Sequence, residues 1–333
     1  MEDSPAIREL VNRPIPDVLW HYTSLSGLLG IVENKSLWAT DIRFLNDREE
    51  YLHALNLIDN AAKEISNESV KSLLLGVIHE ACESGALSPT HMQVFVISFS
   101  AAKDLLSQWR AYTEALKGIS LGFNLTTIRP PEDIGSMVTF APCVYKAEEK
   151  LSLIRSVMNH LLEETAQIDA DNDRRIKEAI ASVHKEAINS VDKTADTEKI
   201  RQIRDALIAE VHADVGPRLT QAAQATVRDL ARIMPLLKHA SFEEECEWRL
   251  VLPLHPEKVP TNTRRMFRIG HSSLVPYLEW KTNGDDSPAR LTHVLVGPNP
   301  DIERAQEAVK SLLLSNELKN VVIDKSDIPF RSW

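Results

Sequence analysis

The stretch Lys146-Ala147-Glu148-Glu149-Lys150-Leu151-Ser152-Leu153-Ile154-Arg155-Ser156-Val157-Met158-Asn159-His160-Leu161 decides how the rest of the chain is read. Leu151, Ile154, Val157, Met158 and Leu161 recur at helical spacing and form one apolar stripe with polar residues around it. The same character persists far beyond this window. From Lys146 to Ser241 there is no Phe, Trp or Tyr, and from Ser136 to Val215 there is no Gly. Ala, Glu, Lys, Arg, Leu and Ile dominate, so several amphipathic helices are expected. Breaks are expected near Asp169–Asp173, near Asp192–Asp196 and at Gly216-Pro217, where Pro suits a helix start. Helices so polar on one face form a bundle beside a core or a projecting arm, a surface suited to a protein partner.

Outward from this block the composition changes on both sides. Val18–Thr23, Val94–Ser100 and Ile119–Phe123 precede it as short runs rich in β-branched and aromatic residues. Glu245–Leu252, Arg264–Ile269, Thr292–Val296 and Val321–Ile323 follow it, bounded by Pro, Gly and Asn. Helices are expected at Leu25–Asn34, Asp47–Ser66, Val70–Ser84, Leu105–Glu114 and Ile302–Asn316. Strands on both sides favour one α+β core, residues 1–145 and 241–333, interrupted by an all-helical insertion at 146–240.

Composition restricts the function classes. A net charge of −10 and a pI near 5.6 repel phosphate backbones, which argues against bulk non-specific nucleic-acid binding. The run Arg264-Arg265-Met266-Phe267-Arg268 is the densest basic patch, and it reads more readily as a solvated face. No apolar stretch approaches the ~20 residues that span a bilayer. The N-terminus lacks a basic region followed by an apolar run. Three scattered cysteines, Cys82, Cys143 and Cys246, suit neither a disulfide framework nor a CxxC zinc site. A cytoplasmic protein without membrane association is expected.

Four polar clusters carry the chemistry. In Val18-Leu19-Trp20-His21-Tyr22-Thr23 a strand delivers a histidine and a hydroxyl to a helix start, with Thr23 or Ser24 as N-cap. A helix N-terminus beside them can receive a pyrophosphate, although a capped helix and a satisfied core histidine explain the same residues. Asn46 with Glu49, or Asp47 with Glu50, has the spacing of a capping box, and either could shape a cleft loop. In Val96-Ile97-Ser98-Phe99-Ser100, Ser98 and Ser100 share one strand face; Trp109, Arg110 and Tyr112 follow on a helix. Finally, Glu245-Cys246-Glu247-Trp248-Arg249 reads as a strand with Glu245, Glu247 and Arg249 on one face and Cys246, Trp248 and Leu250 inward. Carboxylates have low strand propensity. A solvated Glu–Arg pair accounts for them structurally; stabilisation of an oxocarbenium-like transition state accounts for them chemically.

Taken in order, these blocks resemble a bacterial family catalogued as domain of unknown function 2971. The resemblance runs through His21-Tyr22-Thr23, Leu45-Asn46-Asp47 with Glu50, Ser98-Phe99-Ser100, Gln108-Trp109-Arg110-Ala111-Tyr112 and Gly118–Phe123. It continues through Glu245–Arg249, Leu274-Val275-Pro276-Tyr277, Val296-Gly297-Pro298 and Ser326–Arg331, and covers nearly the whole chain except the helical insertion. A weaker likeness is to the ADP-ribosyltransferase superfamily, whose NAD cleft joins a first-strand His or Arg, a middle-strand Tyr or Ser-x-Ser, and a late Glu. It implies an ADP-ribosyltransferase-like β core with NAD as substrate. Here a His-type first motif is joined to a Ser-type second motif, and no middle-strand Tyr stands at the usual stacking place.

This likeness implies a role for each of these residues around an NAD molecule. His21 would hold NAD near a ribose or the carboxamide, with Tyr22 and Thr23 beside it. Asn46 and Asp47 would shape the cleft. Ser98 and Ser100 would position the nicotinamide ribose. Glu247 would bind its 2′-hydroxyl and stabilise positive charge, while Glu245 would orient an unknown macromolecular acceptor. Trp109, Arg110 and Tyr112 would form a second wall. Related proteins act as toxins or antiviral effectors. Two other readings stand beside it: a non-catalytic nucleotide- or peptide-binding module with a helical partner-binding arm, and a metal-dependent nuclease with Asp47, Glu50, Glu245 and Glu247 as ligands.

Overall fold

The structure is a computed structural model that describes residues 3–45, 48–68, 70–72, 74–76, 93–113, 117–125, 138–189, 196–254, 265–270, 273–282 and 290–329. Asn46 and Asp47 lie outside them, as do most of Val70–Ser84 and the side chain of Glu50. Ten strands form one sheet. They are β1 (Leu19–Ser24), β2 (Ser36–Asp41), β3 (Gln93–Ser100), β4 (Gly118–Asn124), β5 (Thr139–Pro142), β6 (Glu247–Leu254), β7 (Arg265–Ile269), β8 (Leu274–Lys281), β9 (Arg290–Val296) and β10 (Val322–Lys325). Their order is β10-β9-β4-β1-β3-β2-β8-β7, with β6 on β3 and β5 on β6. Every pair is antiparallel except β9 with β10. Strands from both sides of the helical block thus interleave in a mixed α+β fold.

The strand β3 is where the sheet branches. Along one edge it pairs with β6 over its full length, from Gln93↔Leu254 to Ser100↔Glu247. Its other edge is divided: β1 reaches only Ser100, through Trp20, and β2 reaches only Val96 and Phe95, through Thr40 and Asp41. Between these contacts the Ser98 carbonyl has no strand partner on that side, and His21 Nδ1 lies 2.9 Å from it. A backbone acceptor at such a fork needs a donor, and β1 supplies one from a side chain.

Alternation along β3 and β6 separates two cores. Val94, Val96 and Val251 face a helical layer; Phe95, Ile97, Phe99, Leu250 and Leu252 face the other side. The helical layer contains α1 (Pro5–Val11), α3 (Arg48–Lys63), α5 (Ala147–Asn189) and α6 (Asp196–Ile233). The opposite layer contains α2 (Leu25–Asn34), capped by Ser24 whose Oγ accepts from the Gly27 amide at 3.2 Å, and α7 (Ile302–Ser315). The short helix α4 (Leu106–Tyr112) closes one end of the fork.

Helices α5 and α6, 43 and 38 residues long, form an antiparallel hairpin; at ~1.5 Å per residue each spans about 60 Å. Asp171–Arg218 at 2.8 Å and Arg175–Asp214 at 2.6 Å tie the two together. The inner half packs Leu153, Ile154, Val157, Met158, Leu230 and Ile233 on the sheet, and the outer half is largely exposed. Two expected breaks are absent. The acidic residues near Asp171 pair with Arg174 and Arg218 on a solvated face, so they support the helix rather than end it. Pro217 stands inside α6, where packing against α5 outweighs one lost backbone bond. The third break falls at 190–195, outside the described residues. Helix α1 and strands β2, β5 and β8 were not expected: β2 is rich in Ser, Ala and Asp, and β8 contains Pro276, which removes a ladder donor.

Candidate functional site

A small cavity of about 70 Å³ opens where β1 leaves β3. Its lining is Trp20, His21 and Tyr22 from β1, Ser98, Phe99 and Ser100 from β3, Gln108 and Tyr112 from α4, and Glu245 and Glu247 at the head of β6. Histidine, the two serines and both glutamates, drawn from three distant stretches, therefore border one cleft. Thr23, Trp109 and Arg110 do not line it. Thr23 packs on Gly27 at the start of α2, and Arg110 is exposed.

The two glutamates reach the cleft by a route other than strand alternation. Strand β6 begins at Glu247; Glu245 ends a 3-10 turn over Ala240–Glu245, and Cys246 between them is left-handed, with φ 44°. That reversal, costly for a residue with a Cβ, turns Cys246 outward to solvent and keeps Glu245 and Glu247 on the same side. The expected inward packing of Cys246 is thus corrected, while Trp248 and Leu250 are buried as expected. Nor is the Glu–Arg pair solvated: Glu245, Glu247 and Arg249 are each at most 6% exposed.

Burial of these charges is tolerated because they are paired. Lys238 Nζ lies 2.6 Å from Glu245 Oε2 and 2.6 Å from Glu247 Oε2. Arg249 donates from Nε to Glu247 Oε1 at 2.7 Å and from Nη2 to Oε2 at 3.0 Å, and from Nη1 to the Pro235 carbonyl at 2.6 Å. Two anions meet two cations. Burial by itself would raise the Glu247 carboxyl, but Arg249 and Lys238 outweigh it and bring it down to about 2. Burial likewise opposes the Lys238 charge, yet Glu247 foremost, with hydrogen bonds to both glutamates, holds the ammonium well above its ordinary range. The ammonium sits between the two carboxylates, where the nuclease reading needs a metal ion. Among the described residues no group of three His, Cys, Asp or Glu is arranged to hold one.

His21 is electrically quiet. Burial pushes its imidazole below the ordinary 6.5, and the bond to Ser98 opposes only part of that effect. Facing a carbonyl, Nδ1 carries the proton and donates, which leaves Nε2 as a bare acceptor in the neutral ring. The two serines divide their labour. Ser100 Oγ donates to the Glu245 carbonyl at 2.6 Å and accepts from the Ala102 amide at 3.0 Å, so it anchors the turn that carries Glu245. Ser98 Oγ makes no hydrogen bond among the described residues.

The aromatic residues are mostly scaffold. Tyr22 Oη donates to the Ala102 carbonyl at 2.8 Å and accepts from the Leu105 amide at 3.0 Å; burial raises its pKa. Trp109, 2% exposed, packs edge-on to Tyr22 at 4.8 Å and donates from Nε1 to Asp104 at 2.7 Å. Of the expected second wall, only Tyr112 faces the cleft.

Sequence reasoning missed Lys238, Gln108 and Tyr145, whose Oη accepts from the Glu247 amide at 2.8 Å. A lysine ending the apolar run Ile233-Met234-Pro235-Leu236-Leu237 was the available signal for the first.

Gln108, Tyr112, Glu245 and Glu247 of this lining fall within one recognisable segment, while His21, Ser98 and Ser100 precede it. Residues 108–250 match the family model of DUF2971, described as a protein of unknown function. The resemblance read from the ordered blocks is thereby shown over that segment. It runs from Gln108 on α4 through the helical hairpin to Leu250 in β6, and includes Lys238, both glutamates and Arg249. No curated protein and no solved structure matches the chain.

Proposed function

We propose that the chain is an NAD-using enzyme of the ADP-ribosyltransferase type, which transfers ADP-ribose to an acceptor or hydrolyses NAD. The observation that carries this reading is the meeting of His21, Ser98 and Glu247 at one cleft. The donor set suits the group. A bare imidazole nitrogen accepts from a ribose hydroxyl, the Ser98 hydroxyl is available, and a buried carboxylate stays ionised to about pH 2. Glu247 therefore works as a fixed negative charge beside developing positive charge on the ribose, and not as a proton donor. Lys238 and Arg249 hold it in place, which is the orientation that such stabilisation requires. Glu245, steadied by Ser100, would orient the acceptor. At about 70 Å³ the cavity takes a ring-sized fragment, well under the roughly 300 Å³ of the smallest ordinary ligand pockets, so the rest of a dinucleotide would lie outside it.

By the same likeness the protein would serve as a toxin or antiviral effector in the cytoplasm, acting on a macromolecular acceptor, with the helical hairpin as its partner surface. Among the described residues no helix is long and apolar enough to cross a membrane.

The test is mass-spectrometric detection of nicotinamide from NAD incubated with the protein. Glu247→Gln should lower release by about 100-fold or more while the fold persists by circular dichroism. Equal turnover in a folded Glu247→Gln protein, or no nicotinamide from the wild type, overturns the proposal. One observation favours a non-catalytic nucleotide- or peptide-binding module instead: both Glu247 oxygens are already engaged by Lys238 and Arg249. That reading expects ligand-dependent thermal stabilisation without release.

A further inference from the structure

Gln108 is 6% exposed, borders the cleft, and its side-chain amide makes no hydrogen bond among the described residues. Its amide nitrogen and oxygen are not among the fully buried unpartnered atoms, so the little surface that Gln108 exposes includes its polar end, which is open to a ligand in the cleft. Its position is firmly held. The next residue, Trp109, is fixed by Asp104 and Tyr22 on one side. On the other it rests against Gly118 and Gly297, where an added Cβ would come within 2.8 and 2.9 Å of the indole. Helix α4 therefore cannot roll, and the Gln108 amide is kept at the cleft in advance of any ligand.

The neighbours of Gln108 define what it would meet. Ser98 Oγ is unpartnered, His21 Nε2 is a bare acceptor, and the charged side chains in the lining, Glu245 and Glu247, are both acidic. No Lys or Arg lines the cavity. With Lys238 and Arg249 balancing the two carboxylates, the lining is near neutral and rich in acceptor atoms, which favours a neutral group with N–H donors. An amide side chain offers a donor beside an acceptor in one plane and complements a second amide edge to edge. Phe99 and Tyr112 supply flat apolar surface beside it.

We propose that Gln108 is the specificity-determining residue of this cleft. It pairs with a neutral primary carboxamide borne on a flat ring and discriminates against the corresponding carboxylate and ketone. The proposal rests on the NAD reading for the identity of that ring, nicotinamide, and on Gln108 itself for the amide chemistry.

The experiment is a binding titration of the full chain, by calorimetry or ligand-observed NMR, with nicotinamide, nicotinate, 3-acetylpyridine and adenosine. The wild type should bind nicotinamide about tenfold more tightly than 3-acetylpyridine, which lacks the amide N–H, and nicotinate more weakly still. Gln108→Met, close in shape but without the amide, should level nicotinamide and 3-acetylpyridine. Its melting temperature should be unchanged, because no hydrogen bond of the fold is lost. Gln108→Ala should level them too. A merely structural role would weaken all probes together and leave the ratio intact, which overturns the proposal. So does a wild type that binds none of the probes, prefers the ketone or acid, or takes adenosine in a Gln108-dependent way. Nicotinamide release from NAD with an amide preference indifferent to Gln108 would sink this assignment and leave the enzymatic reading standing. A Gln108-dependent amide preference without NAD turnover would do the reverse.

Discussion

Replacing Lys238 by Met tests whether the buried charge cluster is organised as described. The ammonium is 1% exposed, lies 2.6 Å from a carboxylate oxygen of each glutamate, and stands 4.9 Å from the centre of the Phe242 ring. Met keeps the length of the stem and removes the charge. Glu245 and Glu247 then face each other with only Arg249 to neutralise them, and breaking a buried pair in this way costs about 3–5 kcal/mol. For a chain of this size that lowers Tm by on the order of 5–10 °C. The pH dependence is the sharper readout. Glu247 sits at about 2 in the fold against an ordinary 4.5, which corresponds to roughly 3 kcal/mol of stability. Because the folded value is depressed, this contribution is fully present above pH 4.5 and is lost as pH falls toward 2. In Lys238→Met the carboxyl has lost one of its two cations and binds a proton more readily. The gap between wild type and variant should therefore be widest above pH 4.5 and should narrow as acid is added. Urea unfolding followed by circular dichroism between pH 3 and pH 7 measures it. Equal midpoints at pH 7, or a gap that stays constant down to pH 3, would refute the reasoning.

Other outcomes follow from the same geometry. The folded His21 imidazole is depressed below 6.5, so the unfolded chain binds a proton that the fold refuses, and stability drains away as pH falls below 6.5. His21→Asn, whose amide can still donate to the Ser98 carbonyl, should flatten that part of the stability–pH curve relative to wild type; parallel curves would contradict the burial of a neutral ring. At Gly297 an added Cβ would meet the Gly118 carbonyl and the Trp109 indole, each at 2.9 Å. Gly297→Ala should cost about 1–3 kcal/mol in thermal unfolding and loosen α4, whereas an unchanged Tm would show that β9 and Trp109 are less closely packed than described. Loss of nicotinamide release in folded Glu247→Gln remains the check on the enzymatic reading itself.

Patterns along the chain were enough to place most elements of the fold. The stripe from Leu151 to Leu161 announced long amphipathic helices, and alternation in Val94–Ser100 assigned Ser98 and Ser100 to one face, because side-chain periodicity is local. The break expected within α6 was misjudged because Pro217 weakens a helix locally while packing on α5 sustains it.

What only the tertiary structure decided is which faces meet. Ser100 and Glu247 stand opposite each other although 147 positions separate them, and that pairing brings the late acidic residues to the early histidine. Local rules also misassigned Glu245, since the left-handed turn at Cys246 carries it to the cleft without strand alternation. The cationic partner of both glutamates, Lys238, ends an apolar run, but nothing along the sequence says which carboxylates it meets. Its burial is favourable only once two carboxylates surround it, and that compensation exists nowhere but in the assembled fold.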